Sequence, residues 1–463
     1  MPRTIGDSSM RRAINTSAPF SERRIWQRTA LLVVLVFGNL SAAGGQTASS
    51  HSQGGQVTTL ADSLARTLNT QLHIFYVHGM AFEGPNHSDS ALLRKSICKF
   101  LRDCTTPAGE FEGREYADRN TFALNAPPPQ LAYLGQPIWN GEEWNAAAPF
   151  VDHWKLARNK APTIYIDEIN WWPLVFAVKC RQIIAKDAEL IGPSATYIDS
   201  CSSSQPDTKT SGRYLSYPWI DASEAQRLKA LPARAALLNR KLKDYVLDWG
   251  FTDAVLAVGP MQKLFLEGIG QVVLKSVRVA ADGSRGSAVE PAPNQEFVIV
   301  SHSLGSYLIF SALDLDLNKL GNSQMKEWKV EFERILGRTS TVFFFANQLR
   351  LLELANLDIT NTTNIVEHLE TWGKLRRRYL DSLNLPNRNA LAPPQIVAWG
   401  DPSDLLTWNV PELTTVVVKN QSVKNAAHWF WVLESPTGAH GNYAMNKRVI
   451  RAMLKPTNDG KAQ

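Results

Sequence analysis

The run Val300-Ser301-His302-Ser303-Leu304-Gly305 places a serine, Ser303, between small residues two positions before and two after it. An apolar stretch, Phe297 to Val300, leads into it, and a helical pattern from Tyr307 to Leu317 follows. A serine at the tip of a strand-to-helix turn presents its hydroxyl for attack. The flanking residues must be small there, because the helix passes close to the strand. A hydroxyl alone is a poor nucleophile. It needs a base to take its proton, an acid to orient the base, and hydrogen-bond donors for the oxyanion that develops. Two histidines late in the chain compete for the base, His428 and His440. Two aspartates in Trp399-Gly400-Asp401-Pro402-Ser403-Asp404-Leu405 compete for the acid. Near the start of the apolar pattern, Val77-His78-Gly79-Met80 offers a glycine that lets backbone approach a substrate closely.

These residues need a rigid frame. Short apolar runs bounded by turn residues read as buried strands at Leu72–Gly79, Thr163–Ile166, Phe297–Val300, Thr341–Phe345, Gln395–Ala398 and Thr414–Lys419. Helical patterns lie between them: Ser88–Asp103 with Leu93, Ile97 and Leu101 on one face, Trp172–Ala185, much of 223–275, and Tyr443–Leu454. Strands alternating with helices imply an α/β fold with a mostly parallel central sheet covered on both faces. Two long stretches, 105–160 and 190–290, interrupt the alternation and read as insertions. Residues 46–70 read as linker and lead-in, and 456–463 as a tail.

The composition is that of an ordinary globular chain, with 44% hydrophobic and 20% charged residues in 463. The net charge of +6 is concentrated at the start: residues 1–45 hold six Arg against Asp7 and Glu22. The remainder carries only +2, too little to argue for a nucleic-acid partner. Arg11, Arg12, Arg23, Arg24 and Arg28 precede an apolar run, Ala30 to Phe37, and small residues Ser41 to Gly45 follow. That order is expected of a secretory signal peptide in an exported, periplasmic or secreted protein. The alternative is an anchor retained over 29–45, the one case in which membrane contact is expected. Cys98, Cys104, Cys180 and Cys201 allow three pairings or free thiols. Cys180 with Cys201 is the favoured pair. Cys98 and Cys104 face different ways on an unbroken helix, so they join only if its last turn unwinds. Neither metal-ligand spacing nor a phosphate-cradling glycine loop is present, and no cofactor is expected.

The elbow around Ser303, the His78-Gly79 loop and the order serine, acid, histidine together resemble the α/β-hydrolase superfamily over roughly residues 71–455. Ser301 stands where that pattern has its first glycine, and the separation of Gly79 from Ser303 is long. The resemblance implies a cofactor-free serine hydrolase of the esterase or lipase kind, acting on a small-molecule or lipid ester. Ser303 would be the nucleophile, with the N–H groups of Leu304 and Met80 as the oxyanion hole and His78, Gly79 and Gly305 in support. Asp404 is favoured as acid because it precedes an apolar pair, leaving Asp401 to cap the turn. His440 is favoured as base because Gly438 and Gly441 flank it before the final helix, whereas His428 sits among Trp429, Phe430 and Trp431. Thioesterase, amidase and peptidase activities fit the same residues. A non-catalytic binding protein of this fold is the rival from another class. Asp167 and Glu168 end a strand and so are candidates to face the site, with a buried ion pair or helix cap the favoured role. Trp171, Trp172, Trp399 and Trp408 are expected to line an apolar pocket or to belong to the core.

Overall fold

The computed structural model describes residues 59–60, 63, 71–80, 90–117, 148–159, 163–185, 195–202, 220–231, 243, 250–259, 261–277, 296–313, 323–353, 365–383, 393–425, 428–429, 433–434 and 436–454. The leader read from residues 1–45, most of the linker and lead-in of 46–70, much of both long insertions, and the tail lie outside the described residues. No described helix is long and apolar enough to cross a membrane.

The fold is α/β. Its core is an eight-stranded sheet, in which β1 (Gln71–Val77), β4 (Thr163–Asn170), β5 (Phe297–His302), β6 (Thr339–Phe345), β7 (Gln395–Gly400) and β8 (Val417–Ser422) run parallel. At one edge, β2 (Glu110–Tyr116) and β3 (Phe150–Leu156) run antiparallel to their neighbours. The order across the sheet is β2-β3-β4-β1-β5-β6-β7-β8. From β1 the chain crosses to the far edge, lays β2, β3 and β4 inward until β4 pairs with β1, and then places β5 on the other side of β1. Such a reversal opens a crevice beyond the carboxyl ends of the two strands it separates. Ser303 follows β5 and Gly79 follows β1, so both stand at that crevice.

Alternation along each strand feeds two cores. Phe75, Val77, Ile299, Val342, Phe344 and Ile396 face one layer, with Phe265, Leu308 and Trp372 from helices Gln262–Ser276, Leu304–Leu313 and Ile365–Ser382. Ile74, Tyr76, Val298, Val300, Phe343 and Val397 face the other, with Leu93 and Ile97 of helix Ser90–Leu101 and Val449 and Met453 of helix Lys447–Leu454. Burial on both faces explains why the inner strands read as continuous apolar runs.

The structure departs from the sequence reading in several places. The two ends of the stretch 105–160 are strands of the main sheet. Their burial is partial in β2, and a register shift falls between Phe111 and Gly113, so no clean period shows in the sequence. β8 starts three residues later than Thr414, and helices Ser323–Arg338 and Ile365–Ser382 were not singled out. His440 lies in a short helix, Pro436–Gly441, continued by a 3-10 turn Asn442–Met445, and not in an open loop. Both cysteine pairs form disulfides, Cys98–Cys104 and Cys180–Cys201. The first requires the helix to end at Leu101, and Arg102 turns into the left-handed region at φ 60°.

Asp167 and Glu168 are structural. The Glu168 carboxylate accepts from the N–H (3.1 Å) and hydroxyl (2.7 Å) of Ser90, capping helix Ser90–Leu101. Asp167 sits between His153 Nδ1 (2.8 Å) and His73 Nδ1 (3.3 Å). Trp171, Trp172 and Trp399 are core residues, while Trp408 is half-exposed.

Candidate active site

The elbow is built as its sequence demands. Ser303 adopts φ 54°, a conformation that costs a non-glycine residue ~1–3 kcal/mol. It is held there from both sides. Its N–H donates to the Phe345 carbonyl at the end of β6 (2.8 Å), and its carbonyl accepts from the hydroxyl (2.7 Å) and N–H (3.1 Å) of Ser306. Gly305 has no alternative at its position: a Cβ there would lie 2.4 Å from the His78 carbonyl oxygen and 2.6 Å from that of Val77. The start of the helix therefore touches the end of β1. Ser301, in the place of a glycine, is accommodated fully buried in β5.

Ser303 Oγ lies 2.8 Å from His440 Nε2. His440 Nδ1 lies 3.0 and 2.9 Å from the two carboxylate oxygens of Asp404. A carboxylate only accepts, so the ring proton sits on Nδ1 and leaves Nε2 free to take one from the hydroxyl. Residues 137 positions apart thus meet in one hydrogen-bonded chain. All three are buried: Ser303 is 0%, Asp404 6% and His440 9% exposed. In such surroundings each hydrogen bond is electrostatically stronger than in water.

Asp404 is kept charged. Burial pushes its carboxyl up, but hydrogen bonds from His440, Thr407 and the Leu406 N–H, with the attraction of the His440 ring, hold it below its ordinary range. Tyr443 adds a further hydroxyl at 3.3 Å. Burial, together with the negative charge of Asp404, pushes the Tyr443 phenol well above its ordinary value, so it stays a donor. Asp401, the rival acid, is turned elsewhere. Its carboxylate accepts from the N–H groups of Ser403 (2.9 Å) and Asn425 (2.6 Å), closing the turn that carries Asp404. His428 lies in the two-residue strand β9 (His428–Trp429), paired with β10 (Leu433–Glu434).

The His78-Gly79 loop packs directly on Ser303. A Cβ on Gly79 would fall 2.7 Å from Ser303 Cβ and 3.3 Å from Ser303 Oγ. Met80 follows, half-buried against the core, and Leu304 opens the helix after Ser303. Met80 thus belongs to the loop after β1, and Leu304 to the turn after β5.

Three residues around this cluster escaped sequence reading. His302 Nε2 lies 2.8 Å from the His440 carbonyl oxygen, and since a carbonyl only accepts, Nε2 carries the proton. Its ring tilts against that of His440 at 5.2 Å between centroids. Tyr443 accepts from the Asp401 N–H (2.7 Å) while donating to Asp404, joining the two halves of the acid turn. Asn347, after β6, takes the Trp408 N–H on its carbonyl (2.9 Å) and donates its side-chain amide back to the Trp408 carbonyl (3.0 Å), so the far end of the acid turn is fixed too. Only the position of His302 beside the nucleophile carried a signal in the sequence.

No group of three or more histidine, cysteine or acidic side chains among the described residues has the geometry to hold a metal ion. Comparison with protein-family models gives no match, and comparison with curated proteins gives none that is significant.

Proposed function

We propose that this chain is a serine hydrolase of the α/β-hydrolase kind that cleaves a carboxylic ester. The observation that carries the reading is the chain of hydrogen bonds Ser303 Oγ, His440 Nε2 and Nδ1, Asp404 carboxylate. It is one tautomer, one direction of proton transfer and one strained serine, in the order along the chain that this superfamily uses. Ser303 Oγ attacks the ester carbonyl carbon as its proton passes to His440 Nε2, and the carbonyl π pair moves onto oxygen. The oxyanion is met by the N–H groups of Leu304 and Met80. Collapse expels the alkoxide, which takes the proton from His440. Water then repeats the sequence on the acyl-enzyme and releases the acid. Asp404 stays ionised throughout and stabilises the imidazolium. The order of strands around the crevice supports the same fold assignment. Two disulfides support an oxidising compartment, in line with export.

The test is reaction with a fluorophosphonate, which phosphonylates only an activated serine, with loss of fluoride. Labelling that maps to Ser303 and vanishes in S303A is the expected result, with turnover of p-nitrophenyl esters. A chain that is folded and inert to the probe overturns the serine-hydrolase reading and favours the non-catalytic binding protein.

A further inference from the structure

Resting on the hydrolase reading, we propose that the rim around Asp404 and His440 docks on an anionic lipid surface, so that the site takes its ester from molecules presented there. The rim consists of segments 401–408, 424–425 and 440–448, which lie beyond the carboxyl ends of β7 and β8. Ser303, after β5, stands at the same end of the parallel sheet. Hydrogen bonds make the three segments one body. The Tyr443 hydroxyl accepts from the Asp401 N–H (2.7 Å), and the Asp401 carboxylate accepts from the Asn425 N–H (2.6 Å). The Asn446 side-chain amide donates to the Lys424 carbonyl (3.0 Å) and to the Asn425 side-chain oxygen (2.7 Å).

This rim turns large apolar side chains to solvent. Leu405 is 73%, Met445 50% and Trp408 45% exposed, each within five residues of Asp404 or His440. Exposed apolar residues scattered singly need no explanation, but three on one bonded rim mark a contact surface. The exposed charges of the same segments are all positive: Lys424, Lys447 and Arg448. Their two carboxylates, Asp401 and Asp404, are buried. Lys447 and Arg448 do not serve the helix that they begin. They stand in the first turn of Lys447–Leu454, where the Asn446 side chain accepts from the Arg448 N–H (2.9 Å) and the positive end of the helix dipole repels a cation. Residues that break a local rule in this way concentrate at functional sites. Apolar tips set among cations match a bilayer interface. Leucine and methionine enter the boundary of the acyl chains, the amphipathic indole ring lies at headgroup level, and Lys and Arg meet the anionic headgroups. With no exposed carboxylate, these segments have nothing to pair with the lysines and arginines of a protein partner, and a uniformly anionic surface is their better complement.

The experiment mixes the full chain with vesicles of phosphatidylcholine alone or of phosphatidylcholine with phosphatidylglycerol, and reads binding by flotation. Two variants are compared with wild type, K424Q/K447Q/R448Q and L405S/M445S. The first should bind the anionic vesicles about 10²-fold more weakly, at about fivefold per charge, and lose its preference over neutral ones. The second should bind about tenfold more weakly to both. A carboxylic ester of a long-chain alcohol carried in the anionic vesicles should be turned over with kcat/KM reduced by the same factors. Soluble p-nitrophenyl acetate should be hydrolysed by both variants within about twofold of wild type, which also shows that they fold. Vesicle binding and vesicle-ester turnover both retained in the two variants assign any membrane contact to residues 1–45 and overturn the inference. A chain that reacts with the fluorophosphonate but ignores anionic vesicles overturns it alone, and a dimer dissolved by L405S/M445S would then assign the tips to a second copy. A chain inert to the fluorophosphonate whose vesicle binding the variants abolish keeps the docking surface and overturns the hydrolase reading.

Discussion

Replacing Gly79 by alanine introduces one methyl group against the nucleophile and nothing else. The added Cβ would lie 2.7 Å from Ser303 Cβ, 3.1 Å from the His302 carbonyl oxygen and 3.3 Å from Ser303 Oγ. Ordinary contact begins near 3.4 Å, so Ser303 and the loop must separate by about 1 Å. Neither side has a flexible tip to give way. Ser303 is pinned by Phe345 and Ser306, and the loop by Trp171. The separation therefore falls between nucleophile and oxyanion donors. A misplacement of ~1 Å costs ~10²-fold in rate, or about 2.7 kcal/mol in the transition state. The assay is steady-state hydrolysis of p-nitrophenyl acetate, with circular dichroism melting to show that the fold persists. G441A is the matched control. It lies beside the proposed base, its backbone is helical, and an added Cβ meets nothing within 4 Å. G79A should lose about two orders of magnitude in kcat/KM and G441A should stay within about twofold. If G79A retains near wild-type activity, the packing of this loop on Ser303 has no bearing on rate and the reasoning is wrong.

Other consequences of the site can be measured on the same assay. S303A and H440A should each lose about 10⁶-fold in kcat, and D404N about 10⁴-fold, while D401N and H428A lose little; a dead H428A beside an active H440A reverses the base assignment. Y443F removes the hydroxyl that joins Asp401 to Asp404, and kcat should drop about tenfold, the cost of one hydrogen bond to a charged group; unchanged kcat and pH profile would show that the Thr407 and Leu406 donors suffice. Away from the site, burial lowers the His153 imidazole but hydrogen bonds to Asp167 and Glu115 outweigh it, raising the pKa to about 10. The ring is protonated in the folded chain well above the unfolded value of ~6.5, so its stabilising contribution is complete below that pH and disappears as pH rises toward 10. Urea midpoints for wild type and H153Q should therefore converge between pH 6.5 and 10, and a constant gap across that range contradicts the pairing.

How much of this was readable depended on whether the determining contacts are local. Phe297–His302 and Thr339–Phe345 are buried on both faces, so their sequences are unbroken apolar runs and declare themselves. β2 is an edge strand with charged residues on both faces and a shift at Gly113, so its seven residues look like loop. β8, the opposite edge, is displaced from its apolar run for a related reason: it is half-exposed, and among the described strands it pairs with β7 alone. The elbow was legible because the steric rule acts within five residues. The sequence favours Asp404 because an apolar pair follows it; the structure sets Asp404 against His440, while Asp401 accepts from Ser403 within the turn. His302, Tyr443 and Asn347 act on partners 138, 39 and 61 positions away, and no local pattern encodes such distances.

Those three unforeseen residues explain why a triad drawn from three separate loops can be held so closely. Ser303 follows β5 directly, Asp404 lies in the turn after β7 and His440 lies beyond β8, so only the first is held next to a strand of the sheet. Asn347 ties the far end of the acid turn to the strand next to the nucleophile. Tyr443, on the segment of the base, closes the near end. His302, one residue before Ser303, grips the backbone of His440 itself. Each loop is thus fastened to a neighbour by a polar group outside the triad, and each fastening runs through a buried or half-buried site, where a lost hydrogen bond leaves a group unsatisfied. The left-handed serine fits the same logic. A conformation costing ~1–3 kcal/mol persists when several bonds over-determine it, as the two from Ser306 and the one to Phe345 do. It follows that damage to the fastenings should lower kcat while leaving the fold intact, because they set relative positions that the core of the sheet does not.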